Sequence, residues 1–140
     1  MGKVQILAVL TMDGCLSSEL YDKAHQDLCL DRCGLDEIRE KALYHVTPDY
    51  SISMLHAWRK DGTNIRYLAE ATPDTSDYIN GLLRMHAVDE IILYTVPFIA
   101  GTGRHFFKSA LPEQHWTLSS LKSYSNGVCR IIYILDKKAR

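Results

Sequence analysis

The chain has 140 residues, 46% of them hydrophobic and 24% charged, with a formal net charge of −1. That length is one domain by size, read here as a single domain over residues 1–140, and it buries about two thirds of its unfolded surface without staples. Near-neutral charge with no basic cluster gives no reason to expect a nucleic-acid or anionic-membrane partner.

The first apolar run, Val4 to Leu10, is too short to span a bilayer, and no small-residue cleavage site follows it. It reads as a strand over Lys3 to Met12 in a cytoplasmic protein, broken by Asp13-Gly14. A helix is expected from an N-cap at Ser17 or Ser18 to Gly34, with Glu19 and Asp22 in its first turn. Its stripe includes Leu20, Tyr21, Ala24, Leu28, Cys29 and Cys33. His25, Cys29 and Cys33 share one face. Their residue types suit zinc, but three ligands with no visible fourth read better as a core-facing stripe, so no metal is expected. The cysteines at 15, 29, 33 and 129 are irregularly spaced and read as free thiols.

Asp36 to Ala42 reads as a short helical turn, and Leu43 to Thr47 as a strand that Pro48 ends. Ser51 to Lys60 has helical spacing, with Ile52 and Leu55 inward and Trp58 a further candidate, and Asp61-Gly62 stops it. Asn64 to Ala69 is a strand. Thr72-Pro73-Asp74 opens a helix that runs to about His86 with Tyr78, Ile79, Leu82 and Leu83 on its apolar side. Asp74 is expected to cap that helix and Glu70 to be exposed.

Val88 to Phe98 is the most apolar stretch and is expected to be a fully buried strand. It runs into a glycine turn, Gly101-Thr102-Gly103, and then Arg104. A buried strand ending at such a turn is where open α/β sheets place ligands. Phe106 and Phe107 read as core. His115 to Tyr124 alternates, Ser125-Asn126-Gly127 is a turn signal, and Val128 to Leu135 is β-branched and apolar. This is an antiparallel hairpin at the end of an otherwise strand–helix–strand chain, hence α/β with a mixed sheet. Trp116 and Tyr124 on the hairpin are candidates for an interface between copies.

Two motifs resemble one family. Leu-Thr-Met-Asp-Gly, residues 10–14, looks like a first strand ending in Ser-x-Asp-Gly, with Thr11 at the serine. Val88-Asp89-Glu90, Pro97, Gly101, Gly103 and Phe107 match a Val-Asp-Glu-Leu strand followed by Pro-x-x-x-Gly-x-Gly-x-x-x-Phe. Together they resemble the dihydrofolate-reductase-like family, and within it the reductase domain of bacterial riboflavin biosynthesis. The resemblance implies a three-layer α/β/α sandwich with a mostly parallel sheet, a homodimer, and NADPH bound across the carboxyl ends of the strands. The implied reaction is hydride transfer to a pteridine or pyrimidine-type small molecule.

On that resemblance Asp13 carries the catalytic role by positioning the substrate ring, with Thr11 and Gly14 beside it, and Gly101, Thr102, Gly103 and Arg104 shape the cofactor side. Without it, Asp13-Gly14 reads first as a plain strand-ending turn, and Arg104 equally as an exposed cation. Three departures stand beside the match. The chain is shorter than the family pattern, no Gly-Arg-x-Thr turn follows the first helix, and the junction Ala69 to Ser76 has acids where the family has a Gly-Gly pair. Two functions follow: an NADPH-dependent reductase, or a relative that keeps the sandwich as a ligand-binding or dimeric interaction protein without the cofactor loops.

Overall fold

The computed structural model describes residues 2–17, 30–61, 64–101, 105–108 and 110–136. Of the helix expected from Ser17 or Ser18 to Gly34, residues 18–29, with His25 and Cys29, lie outside them, as do residues 62–63, 102–104 and 137–140, while Leu30–Cys33 form a 3-10 turn.

Six strands form one mixed sheet. In chain order they are β1 (Lys3–Leu10), β2 (Tyr44–His45), β3 (Arg66–Glu70), β4 (Glu90–Thr95), β5 (Trp116–Ser123) and β6 (Cys129–Leu135). Their order across the sheet is β2-β3-β1-β4-β6-β5. The first four are mutually parallel, and the terminal hairpin adds antiparallel to β4. Three helices are described: α1 (Leu35–Lys41), α2 (Ile52–Asp61) and α3 (Ser76–Arg84).

The central strands are buried on both faces because apolar side chains alternate onto two separate cores. Val4, Ile6 and Ala8 of β1 join Ile91, with Leu55 of α2 and Ile79, Leu82 and Leu83 of α3. Leu7, Ile92 and Tyr94 face the other way, onto Leu30, Cys33 and Leu35. Helices therefore cover both faces, and the expected α/β/α sandwich with an antiparallel C-terminal edge is what forms. Cys15, Cys33 and Cys129 are free thiols.

The Val88-Asp89-Glu90 motif has a structural job. Asp89 Oδ2 accepts the Val4 N–H at 2.9 Å, and Gln5 Nε2 donates to Glu90 Oε2 at 2.9 Å. These contacts set the register Gln5↔Glu90 from which the β1–β4 ladder runs. Val88 is buried as expected, although β4 is shorter than the apolar run that contains it.

Four local readings change. β2 spans two residues rather than Leu43 to Thr47, because it sits at the sheet edge with both residues exposed. The α3 N-cap is Thr75, not Asp74, and Asp74 is exposed. Thr72 and Thr75 close that turn between themselves: the Thr72 N–H donates to Thr75 Oγ1 at 2.8 Å, and the Thr75 N–H to Thr72 Oγ1 at 3.2 Å. Phe107 is 44% exposed while Phe106 is fully buried, since only the first of the pair points into the core under α3. Gly34, with φ 80°, caps α1 in the left-handed region that favours glycine.

Candidate functional site

β1 ends at Leu10, and the chain turns through Thr11 to Gly14. Gly14 adopts φ 81°, which explains the glycine after the aspartate. Thr11 is buried, and its hydroxyl organises the turn by donating to Asp13 Oδ1 and accepting the Cys15 N–H at 3.1 Å. Asp13 then reaches across to the loop that follows β4. Its Oδ1 accepts the Ala100 N–H at 3.1 Å, and its Oδ2 accepts the Gly101 N–H at 3.0 Å. The Met12 N–H adds a bond to the Phe98 carbonyl at 2.9 Å, and the Phe106 N–H one to Gly14 at 3.1 Å.

The loops after β1 and β4 are thereby tied together by the Asp13 side chain and the Met12–Phe98 backbone bond. Of the residues singled out in sequence, the fold brings Thr11, Asp13, Gly14 and Gly101 into one place. Thr102, Gly103 and Arg104 lie outside the described residues. Gly101 has φ 75° and open space where a Cβ would stand.

These bonds decide the charge of Asp13. Hydrogen bonds from the Thr11 hydroxyl, then from the Ala100 and Gly101 N–H groups, lower its pKa to about 2. At neutral pH it is an ionised acceptor and not a proton donor. Its first task is to hold the loop after β4 in position.

The rim at the end of β3 differs from its sequence reading. Glu70 is not a free exposed acid: its Oε1 accepts from Arg39 Nε at 3.0 Å and Nη2 at 2.8 Å. The acidic junction is thus locally neutralised by a cation from α1, which sequence spacing could not reveal. On α3, Asn80 is fully buried, donating to the Phe106 carbonyl and accepting from the Lys108 N–H. It pins the 105–108 segment onto α3.

Sequence reading also missed a cluster beside β4. Tyr94 and Tyr124 both donate to the Cys33 carbonyl at 2.8 Å. Burial, above all, pushes the Tyr94 phenol up to about 12, so it stays protonated. The signal was present as a lone tyrosine inside an otherwise aliphatic strand.

At the opposite, amino end of β4, a cavity of about 430 Å³ is lined by His56, Arg59, Lys60, His86, Gln114 and Leu135 among others. It is remote in the topology from Asp13. Among the described residues no three His, Cys, Asp or Glu side chains are grouped to hold a metal ion, and no helix is long and apolar enough to cross a membrane.

The β3 junction is also where an NADPH phosphate can be tested against the residues present. The N–H groups of Thr72, Thr75 and Ser76 are engaged within the turn. Arg39 is the guanidinium on this rim, and its Nε and Nη2 are already spent on Glu70. A dinucleotide would meet a guanidinium already paired with an acid here, in place of the helix N–H groups that a Gly-Gly turn exposes, so the residues present do not fit its phosphates.

No protein-family model and no curated protein matches the chain. Solved structures do. A protein described as a riboflavin biosynthesis protein from Shewanella sp. PV-4 aligns with TM-score 0.58 at 12% identity, over 96% of this chain and 99% of that one. RibD from Acinetobacter baumannii aligns with TM-score 0.57 at 10% identity, covering 98% of this chain and 59% of that one, so the chain spans little more than half of that protein. Dihydrofolate reductase from Enterococcus faecalis, in complex with NADP(H) and RAB-propyl, aligns with TM-score 0.55 at 14% identity over 96% of this chain and 97% of that one. With the six-strand mixed sheet and its antiparallel terminal hairpin, these alignments show that the chain has the dihydrofolate-reductase-like fold.

Proposed function

We propose that the protein is an NADPH-dependent reductase acting on a pteridine or pyrimidine-type small molecule. The observation that carries this reading is the Asp13 bridge, which joins the loops after β1 and β4 at the carboxyl ends of the parallel strands. Ligands sit there in open α/β sheets.

Thr11, Asp13 and Gly14 form the substrate side. Asp13 has its catalytic role as an ionised acceptor that orients an amino- or ring-N–H-bearing heterocycle, using the Oδ2 lone pair left after its bonds from Thr11, Ala100 and Gly101. Gly101, with Thr102, Gly103 and Arg104, forms the cofactor side. When bound, NADPH supplies a hydride to the substrate ring. Since Asp13 is ionised, the proton that balances the reduction comes from water or the substrate's own titration, not from its carboxyl group.

A second reading is favoured by one observation. Both Asp13 oxygens are already taken by the protein's own N–H groups, as are the first N–H groups near α3. A non-catalytic ligand-binding or dimeric relative needs nothing more from them. The partner in that case is a second copy of the chain, in the cytoplasm.

The two readings separate in one experiment. NADPH and NADP⁺ are titrated at millimolar concentration while the melting temperature is followed, and NADPH oxidation is then assayed with pterin and pyrimidine substrates. The reductase reading expects a rise in melting temperature and a turnover that Asp13→Ala removes. No shift with either nucleotide overturns it and leaves the non-catalytic relative.

A further inference from the structure

Three separate elements meet at the cavity by the amino end of β4. The last turn of α2 brings Arg59 and Lys60, the end of α3 brings His86, and the segment before β5 brings Gln114. Hydrogen bonds hold these pieces together. Gln114 Nε2 donates to His86 Nδ1 at 3.0 Å, Arg59 Nη1 to the His86 carbonyl at 3.2 Å, and His56 Nε2 to the Met85 carbonyl at 2.9 Å. The volume of about 430 Å³ lies in the range of small-molecule pockets. The cavity opens to solvent, since Lys60, His86 and Glu113 of its lining are exposed.

His86 stands where glycine is the ordinary residue. After α3 the His86 N–H donates to the Leu83 carbonyl at 3.2 Å and the Ala87 N–H to the Leu82 carbonyl at 2.9 Å, the paired bonds of a left-handed helix cap. That cap holds His86 at φ 55°, a conformation in which a side chain is strained and glycine is not. A histidine placed there at a cost to the fold points to work for its ring beyond the fold. With Gln114 donating to Nδ1, the ring proton sits on Nε2, and that N–H has no partner among the described residues. The Lys60 ammonium has none among them either. The other charges of the lining are engaged: Arg59 pairs with Asp89, and Glu113 stands 3.8 Å from His115. Two open donors, one of them a cation, thus share a cavity that has Leu135 as an apolar wall.

We propose that this cavity binds a small organic anion, a carboxylate or phosphate monoester carried on an apolar body. Lys60 supplies the charge and His86 Nε2–H a directed hydrogen bond to the oxyanion, while the body fills the space beside Leu135. The site lies at the amino ends of the strands, away from Asp13. It needs no hydride chemistry and stands whether or not the protein is a reductase.

The probes are benzoate and phenyl phosphate, compared with acetate and inorganic phosphate, which lack the body, and with benzyl alcohol, which lacks the charge. pH and ionic strength are held constant. Histidine ring signals are followed by NMR in the wild type, His86→Gly and Lys60→Gln, and the melting temperature of each is recorded. Benzoate or phenyl phosphate is expected to shift, saturably, the ring signal that His86→Gly lacks, and to raise the wild-type melting temperature by about 4 °C at roughly ten times its Kd. Affinity should fall roughly tenfold in His86→Gly and about threefold in Lys60→Gln. The three partial probes should each bind several-fold more weakly. Whichever aromatic anion binds tells a carboxylate from a phosphoryl site. His86→Gly should melt at or above the wild type, because glycine relieves the strain, so its loss of binding is not a loss of fold. No saturable shift with either aromatic anion, equal affinity in the variants, or a partial probe bound as tightly as its parent overturns the proposal. So does a His86→Gly protein that melts well below the wild type, since the histidine then serves the fold. Neither nucleotide nor turnover enters the measurement, so its outcome is independent of the reductase reading.

Discussion

Arg59 and Asp89 form an ion pair at 3.4 Å beneath the sheet, with the Arg59 side chain 7% exposed and that of Asp89 19%. Arg59 comes from the last turn of α2, and its Nη1 also donates to the His86 carbonyl at 3.2 Å. Asp89 meanwhile holds the Val4 N–H. The pair locks α2 and the end of α3 to the amino ends of β1 and β4. Removing one partner leaves the other charge buried, which costs far more than the pair is worth against apolar replacements. Asp89→Asn is expected to lower unfolding free energy by about 2–3 kcal/mol, read from urea denaturation. A loss below about 1 kcal/mol would show the pair to be peripheral.

Asp13 predicts a pH dependence of definite sign. Its folded pKa of about 2 lies below the ordinary 3.8, so folding favours the ionised form. That stabilisation is complete above roughly pH 4 and lost as pH falls toward about 2. The melting-temperature gap between wild type and Asp13→Asn should therefore close across that acid window and stay level above pH 5. A gap that is unchanged down to pH 2 would mean the Thr11, Ala100 and Gly101 bonds do not favour the carboxylate.

The Cys33 carbonyl accepts from both Tyr94 and Tyr124. Each Tyr→Phe change alone leaves it one partner and should cost about 1 kcal/mol. The double change leaves a carbonyl of a buried residue with neither phenol, so its cost should exceed the sum of the two by roughly 1 kcal/mol. Chemical denaturation of the four proteins in this cycle measures the coupling, and strict additivity would mean that water replaces the phenols.

The terminal hairpin predicts an association surface different from the one its aromatics suggest. Trp116 packs against the core and Tyr124 is bonded to Cys33, whereas Leu118 and Leu121 are 51% and 63% exposed on edge strand β5. They stand opposite Tyr133 and Ile131, extending an apolar face past the helices. If the proposed homodimer uses this face, Leu121→Lys should shift sedimentation from dimer to monomer while the far-ultraviolet spectrum stays unchanged. A wild type that sediments as a monomer at high micromolar concentration removes the dimer.

The elements were legible in the sequence wherever periodicity was strong. Aliphatic runs in β1 and β4, the spacing of Ile79, Leu82 and Leu83, and the Ser125-Asn126-Gly127 turn each state a local preference that the tertiary fold keeps. The Asp-Gly turn was equally visible, because Gly14 and Gly101 answer to local backbone geometry. Motif resemblance added the sandwich itself.

Partners distant along the chain were settled by tertiary structure alone. Asp13 meets Ala100 across 87 positions, Glu70 finds Arg39 across 31, and Tyr124 reaches Cys33 across 91. No local signal encodes such meetings, since they depend on strand order and on which helix covers which face. The same limit applies to the Asp-Gly stretch between the first strand and helix. Its residues announced a turn, but the ionised carboxylate bonded to Ala100 and Gly101 exists because the sheet places β4 beside β1.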